Sequence, residues 1–240
     1  MERPFLSGDF PAPAPSRAGW TYWRPTAEGI VEFGTLRGRD VGLPPHFHDE
    51  NQITFVLSGR RQFQIGGKLV ALGAGEGTLI PAGVPHTSAS EPFGVVCLNA
   101  YVPAGQYAVA AMMADIERLW RKAGHVDWDD LTAIIRQHRQ SGIPANSGAP
   151  VAPNGNEPVS EMAARMGMSR EGFSRSFSKR WGMPPHAFRL ARRLNRARQM
   201  LRSGEAIAAV AAETGFADQS HFGRWFRRAF GVTPGQYRLG

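Results

Sequence analysis

Three histidines offer the first recognisable chemistry. In DVGLPPHFHDENQITFVLSG, His46 and His48 alternate along an expected strand, so their imidazoles face one side. His86 follows about forty residues later, in GEGTLIPAGVPHTSAS. Neutral imidazoles hydrogen-bond polar ligands or hold a divalent metal. Gln52 stands between them, a far weaker ligand for such an ion than a carboxylate. The expectation is a polar ligand pocket of His46, His48, Gln52 and His86, with no catalytic residue, no cofactor and no metal. A metal, if present, would fall to His46, His48 and His86.

The second chemistry is cationic and repeated. AARMGMSREGFSRSFSKRWGMPPHAFR at 163–189 aligns with AAETGFADQSHFGRWFRRAFGVTPGQYR at 211–238. Ala163, Ala164 and Gly167 match Ala211, Ala212 and Gly215. Phe173, Arg175, Phe177, Gly182, Pro185 and Phe188 match Phe222, Arg224, Phe226, Gly231, Pro234 and Tyr237, one residue having been added at the turn. Each copy reads as a short helix, a turn on glycine and a second helix starting near Ser169 or Asp218. Phenylalanines four apart share a buried face, and Arg175 and Arg224 lie about 200° away from it. A helix over about 185–201, with a stripe of Leu190, Leu194, Ala197 and Leu201, would span roughly 25 Å between the copies. Such a spacer sets two recognition helices in successive major grooves, ~34 Å apart. For the remaining arginines of this helix a solvated face is expected at about half of the positions.

This segment resembles the DNA-binding domain of the AraC family of bacterial transcription regulators, most specifically in GFADQSHFGRWFRRAFGVTPGQYR. The resemblance implies base contacts near the start of each second helix, from Ser169, Arg170, Glu171, Ser174 and Arg175 in the first unit and Gln219, Ser220, His221 and Arg224 in the second. Arginine suits guanine O6 and N7, and glutamine suits adenine N6 and N7. A carboxylate at Glu171 repels phosphate unless it accepts from a cytosine amine, so the first unit is expected to contribute less affinity. The histidine segments, from Gly42 through His46, His48 and position 52 to Gly59 and from Gly75 through Pro81 and Gly83 to His86, resemble the two cupin motifs. Where metal-binding cupins usually carry glutamate, this chain has Gln52. A cupin barrel is also the usual sensor of AraC-family regulators, so the two resemblances agree. They imply a regulator controlled by a small-molecule effector, double-stranded promoter DNA as partner, a possible homodimer and RNA polymerase contact in an activator. The alternative is a cupin metalloenzyme, of dioxygenase or isomerase type, fused to a DNA-binding domain.

The elements that must position these groups follow from pattern and charge. Residues 20 to about 101 alternate short apolar runs with Gly and Pro: Ile53, Phe55 and Leu57, then Phe63 and Ile65, then Leu69 and Leu72. Gly66 and Gly67 fit a hairpin turn, and Gly73, Gly75 and Gly77 read as barrel turns because no helix follows them. Beyond Pro103, Tyr107, Ala111, Met112, Ala114, Ile116 and Leu119 predict one helix. Leu131, Ile134, Ile135 and His138 predict a second, capped by Asp127. The fold class is therefore α+β in two domains: a 1–19 arm, a cupin-like sensing and dimerisation domain at 20–140, a Gly/Pro/Ser-rich linker at 141–156 and an all-α double helix-turn-helix at 157–240.

The formal charge of +8 over 240 residues divides unevenly along this plan, −1 for 1–156 and +9 for 157–240. A polyanion is the partner such a segment expects. No stretch reaches the roughly 18 apolar residues of a membrane helix, the first residues lack the apolar run of a signal peptide, and the single Cys97 can form no internal disulfide. A cytoplasmic location and no membrane partner are expected.

Overall fold

The structure is a computed structural model that describes residues 19–26, 29–105, 107–140 and 158–240. The expected arm up to 18 and linker 141–156 lie outside the described residues. Gly19, assigned above to the arm, opens the first strand.

Eight strands form one curled antiparallel sheet: β1 (Gly19–Trp23), β2 (Glu32–Gly38), β3 (Leu43–His46), β4 (Asn51–Ile65), β5 (Lys68–Gly73), β6 (Gly77–Ile80), β7 (His86–Ser88) and β8 (Val95–Val102). The order is β1-β2-β8-β4-β7-β3, with β5 and β6 also paired to the long β4. The Gly66–Gly67 turn joins β4 to β5 with φ of +54° and +83°, the mirror-image turn that matches strand twist. Strand alternation sorts side chains between two faces. Phe33, Ile53, Phe55, Leu98 and Ala100 face outward under the helices, while Leu36, Val56, Phe63 and Cys97 fill the inside of the curl. Two β4–β8 pairs add polar groups, Gln52 opposite Tyr101 and Thr54 opposite Asn99. Both Gln52 and Thr54 donate to Asn99 Oδ1, which satisfies them beside the histidines.

The outer face is closed by α1 (Val109–Ala123) and α2 (Trp128–Gln137), through Met112, Ile116, Leu131 and Ile135. Asp127 caps α2 as expected, in a reciprocal capping box with Asp130. Ala111 and Ala114 are exposed, and Tyr107 pairs with Arg139 ahead of the helix. The apolar stripe of α1 is thus narrower than its composition implies, because alanine carries too little surface to force its own burial.

The last third is helical: α3 (Val159–Arg165), α4 (Arg170–Trp181), α5 (Pro185–Arg202), α6 (Ile207–Glu213), α7 (Gln219–Phe230) and α8 (Pro234–Leu239). Gly167 and Gly215 make the two turns with φ of +62° and +75°. The repeat encloses two cores, Ala163, Phe173, Phe177 and Phe188 in one and Ala211, Phe222, Phe226 and Tyr237 in the other. Neither core is self-contained. Phe47 of the sheet domain enters the first, and Tyr22 and Tyr101 enter the second. The helical domain packs on β1 and β3, the two ends of the strand order, and so covers backbone edges that would otherwise be open to other chains. No helix among the described residues is long and apolar enough to cross a membrane.

Candidate DNA-binding surface and histidine pocket

Ser169 and Asp218 start the two recognition helices. Ser169 Oγ accepts from the Gly172 amide at 3.0 Å, and Asp218 Oδ1 accepts from the His221 amide at 2.6 Å. Ser169 is therefore a helix cap, and its oxygen is committed to the backbone. These amide bonds, above all that from His221, hold the Asp218 carboxyl below its usual range. Beyond the caps Arg170, Glu171 and Arg175 on α4, and Gln219, Ser220 and Arg224 on α7, are exposed, while Ser174 is half-buried. His221 is also half-buried: its Nε2 accepts from Trp225 Nε1 at 2.9 Å and its ring meets Phe216 edge-on. Its imidazole is held in one orientation, with the other nitrogen left to donate. Arg175 and Arg224 both point away from the phenylalanine cores, and one 18-residue helix, α5, joins the two units.

The histidines converge as the spacing requires, with one correction. β3 ends at His46, so His48 lies beyond the strand instead of along it. Pro44 and Pro45 supply no amide protons, and the register of β3 against β7 shifts between Leu43 and His46. The three rings still face one point, with centroids 4.3 Å apart for His46–His86 and 5.0 Å for each pair with His48. Their candidate ligand nitrogens lie within 4.8 Å of one another. All are buried and held neutral: burial, then the neighbouring ring of His86, depresses His46. Burial and the other two rings depress His48, and burial takes His86 down to about 4.

As a metal site the set divides. His46 Nδ1 donates to the Pro44 carbonyl at 2.7 Å and His86 Nδ1 to the Val84 carbonyl at 3.1 Å, leaving both Nε2 lone pairs for the centre. His48 differs, because its Nδ1 meets Arg198 Nη1 at 3.1 Å while its Nε2 has no hydrogen-bond partner. Gln52 lines the same space, which holds about 10 Å³, room for one water or one ion.

Arg198 comes from α5, among arginines of which about half were expected to be solvated, and it is fully buried. Nη2 pairs with Glu32, Nε donates to the Tyr237 hydroxyl at 3.0 Å, and the guanidinium lies 4.3 Å from the centre of the Tyr101 ring. Burial alone would lower its pKa, yet Glu32, Tyr237, Tyr101 and Glu50 raise it well above the usual value and keep it charged. Beside it Arg202 binds Glu50 at 2.6 Å. Tyr22 donates to the Phe230 carbonyl at 3.0 Å, Arg24 to that of Tyr237 at 2.9 Å, and Asn195 to that of Phe47 at 3.0 Å. Trp20 stacks on Tyr22 at 5.8 Å, so these aromatics pack the domain junction. Cys97 is buried, and its thiol is pushed up to about 12, which makes it an inert packing group.

Residues 162–240 match the helix-turn-helix domain family, and residues 34–92 match the cupin domain family. The C-terminal third is an AraC-type DNA-binding domain. It is 37% identical over 81 residues to the HTH-type transcriptional regulator MtrA of Neisseria gonorrhoeae, covering 33% of this chain and 27% of that protein. It is 39% identical over 82 residues to the virulence regulon transcriptional activator VirF of Yersinia enterocolitica, covering 34% and 30%. The matched segment thus spans less than a third of these relatives' length. Over 93% of this chain and 94% of the other, the fold aligns with fatty-acid-bound ToxT of Vibrio cholerae at 12% identity and a TM-score of 0.46. Within this helix-turn-helix domain, the exposed positions of α4 and α7 and the glycine turns follow from the repeat. Its attachment to the cupin domain through Glu32, Tyr101, Arg198 and Tyr237 does not, although Arg198 interrupts the apolar stripe of α5 between Leu194 and Leu201.

Proposed function

We propose that this protein is a sequence-specific DNA-binding transcription regulator whose cupin domain governs the AraC-type domain docked on it. The observation that carries the reading is the paired exposure of Arg175 and Arg224 at matched positions in the second turn of α4 and α7, on units joined by one rigid helix in a segment of charge +9. Promoter DNA is the partner this arrangement fits, with phosphate contacts fixing register and the helix starts reading bases. Control by a ligand is supported by the junction. A cavity of about 220 Å³ lies between β3 and helices α5 and α7, walled by Pro44, Phe47, Leu190, Leu194 and Ala229, and it has room for a small organic effector. Its wall includes His46, which places it against the histidine pocket. The 10 Å³ beside the histidines leaves no space for an organic substrate, which favours regulation over turnover.

Selection of bound sequences from a random duplex pool by the full chain tests the reading. Enrichment of one motif with two half-sites about one turn apart is expected, with affinity falling steeply as salt rises. Recovery of unenriched sequence, or a flat salt response, would overturn it. Pairing of two chains and contact with RNA polymerase belong to the same proposal. They are read from the length of DNA protected and from transcription in a purified system.

A further inference from the structure

His48 belongs to two assemblies at once. On one side it completes the three-histidine cluster; on the other its Nδ1 faces Arg198 Nη1 at 3.1 Å. A guanidinium only donates, so Nδ1 must present the single lone pair of a neutral imidazole and the ring proton sits on Nε2. That proton is buried without a well-formed hydrogen bond, although the Gln52 side chain beside it favours the protonated ring. A cation bound through Nδ1 would take the lone pair that Arg198 uses. A cation bound through Nε2 would force the proton onto Nδ1, where it would point at the guanidinium N–H. Neither geometry lets three-histidine ligation coexist with the docked Arg198. His46 and His86 carry no such conflict, since their Nδ1 protons go to the carbonyls of Pro44 and Val84 within their own loops.

Charge points the same way. With Arg198 in place the site already holds a permanent cation between Glu32 and Glu50. Once Arg198 leaves, Glu32 loses its partner while Glu50 keeps Arg202, and an incoming dication beside them replaces the lost charge.

We propose that the histidine pocket takes a divalent cation of the zinc class only when Arg198 has left His48, so that cation binding and docking of the AraC-type domain oppose one another. The idea rests on the regulatory reading above and names a signal for it. The opposition is reciprocal: the cation weakens docking by the factor by which docking weakens the cation. Because α5 carries Arg198 and joins both helix-turn-helix units, loss of this contact frees the helix that positions both recognition surfaces. Tyr22, Arg24 and Asn195 still hold the junction, so the cation shifts a population instead of splitting the molecule.

The test uses Co²⁺ and the full chain, with binding followed by visible absorption. Wild type is compared with the paired variant Arg198→Met/Glu32→Gln, which removes the ion pair without stranding a buried charge. Co²⁺ should bind the paired variant about 10-fold more tightly or better, the scale of a charge-assisted hydrogen bond. In wild type, saturating Co²⁺ should speed hydrogen exchange in Gly19–Trp23 and in α5, and His86→Ala should abolish both the spectrum and the exchange effect. Arg24→Ala, which loosens the junction by removing the bonds to the Tyr237 and Arg238 carbonyls and lies outside the histidine pocket, should also tighten Co²⁺ binding, and it serves if the paired variant fails to fold. Equal affinities in all folded proteins, exchange unchanged by bound Co²⁺, or no binding at all would each overturn the proposal. Failure to select a DNA motif would instead sink the regulatory reading and leave these measurements intact.

Discussion

Arg198 on α5 and Glu32 on β2, 166 residues apart in the chain, close an ion pair in which neither side chain exposes more than 1% of its surface. Such a pair stabilises less than its geometry implies, because both ions lose their hydration, but breaking it from one side leaves a charge stranded. Arg198→Ala alone should therefore destabilise the chain by about 3–5 kcal/mol. Removing both charges, with Arg198→Met and Glu32→Gln, should recover most of that loss. Urea unfolding of the three proteins measures it, and a double variant as unstable as Arg198→Ala would show that the pair is not a coupled unit.

Local signals made the helical domain legible. Glycines that must take positive φ, phenylalanines four apart and a repeat at nearly constant offset each act within a few residues, so they read directly from the chain. The hairpin at Gly66–Gly67 and the Asp127 cap were legible for the same reason. The junction left no local mark, because Glu32, Tyr101 and Tyr237 look like ordinary strand and helix residues until the fold brings them together. Arg198 did carry a signal: it lies four residues after Leu194 and three before Leu201, on the buried stripe, where a lone charge needs a partner. His48 was placed on the correct face but the wrong element, since two prolines end β3 sooner than alternation implies.

Gly231 and Gly182 give a matched comparison of the two units. Both cap a recognition helix with positive φ, +78° and +71°, so an alanine at either should cost about 1–2 kcal/mol in backbone strain. A Cβ at Gly182 meets Pro85 at an ordinary 3.6 Å, whereas one at Gly231 falls 2.1 Å from the Trp20 ring. Gly231→Ala should therefore lose ~1–3 kcal/mol more than Gly182→Ala, the cost of overpacking a fitted contact. It should also expose Trp20 to fluorescence quenchers. Equal losses would mean that Trp20 yields without strain.

Acid should unfold the protein through its histidines. His86 titrates at about 4 in the fold against ~6.5 in an unfolded chain, so between these values the unfolded state holds more protons. Its contribution is complete above the unfolded value and is lost as pH falls toward 4, amounting to roughly 3 kcal/mol at ~1.4 kcal/mol per unit. His46 and His48, also depressed by burial, act in the same direction. Urea midpoints measured from pH 7 to pH 4.5 should fall, and less steeply in His86→Gln. An unchanged slope in that variant would place the acid sensitivity elsewhere.

Arg224 separates base reading from phosphate attraction. It is exposed two residues from both Phe222 and Phe226, so the core that fixes α7 also fixes the direction of the guanidinium. A bidentate contact to guanine requires that fixed aim, whereas a phosphate contact needs only charge. Arg224→Ala should cost about 1–3 kcal/mol on the selected motif and relax preference at one base position. Arg224→Lys should restore part of the affinity but not the preference, because an ammonium keeps the charge and loses the fork. Arg227 and Arg228, later on the same helix, should on replacement weaken all sequences alike and reduce the salt slope by about one. If Arg224→Ala also weakens every sequence equally, Arg224 is a phosphate contact and base reading on α7 passes to Gln219 and Ser220.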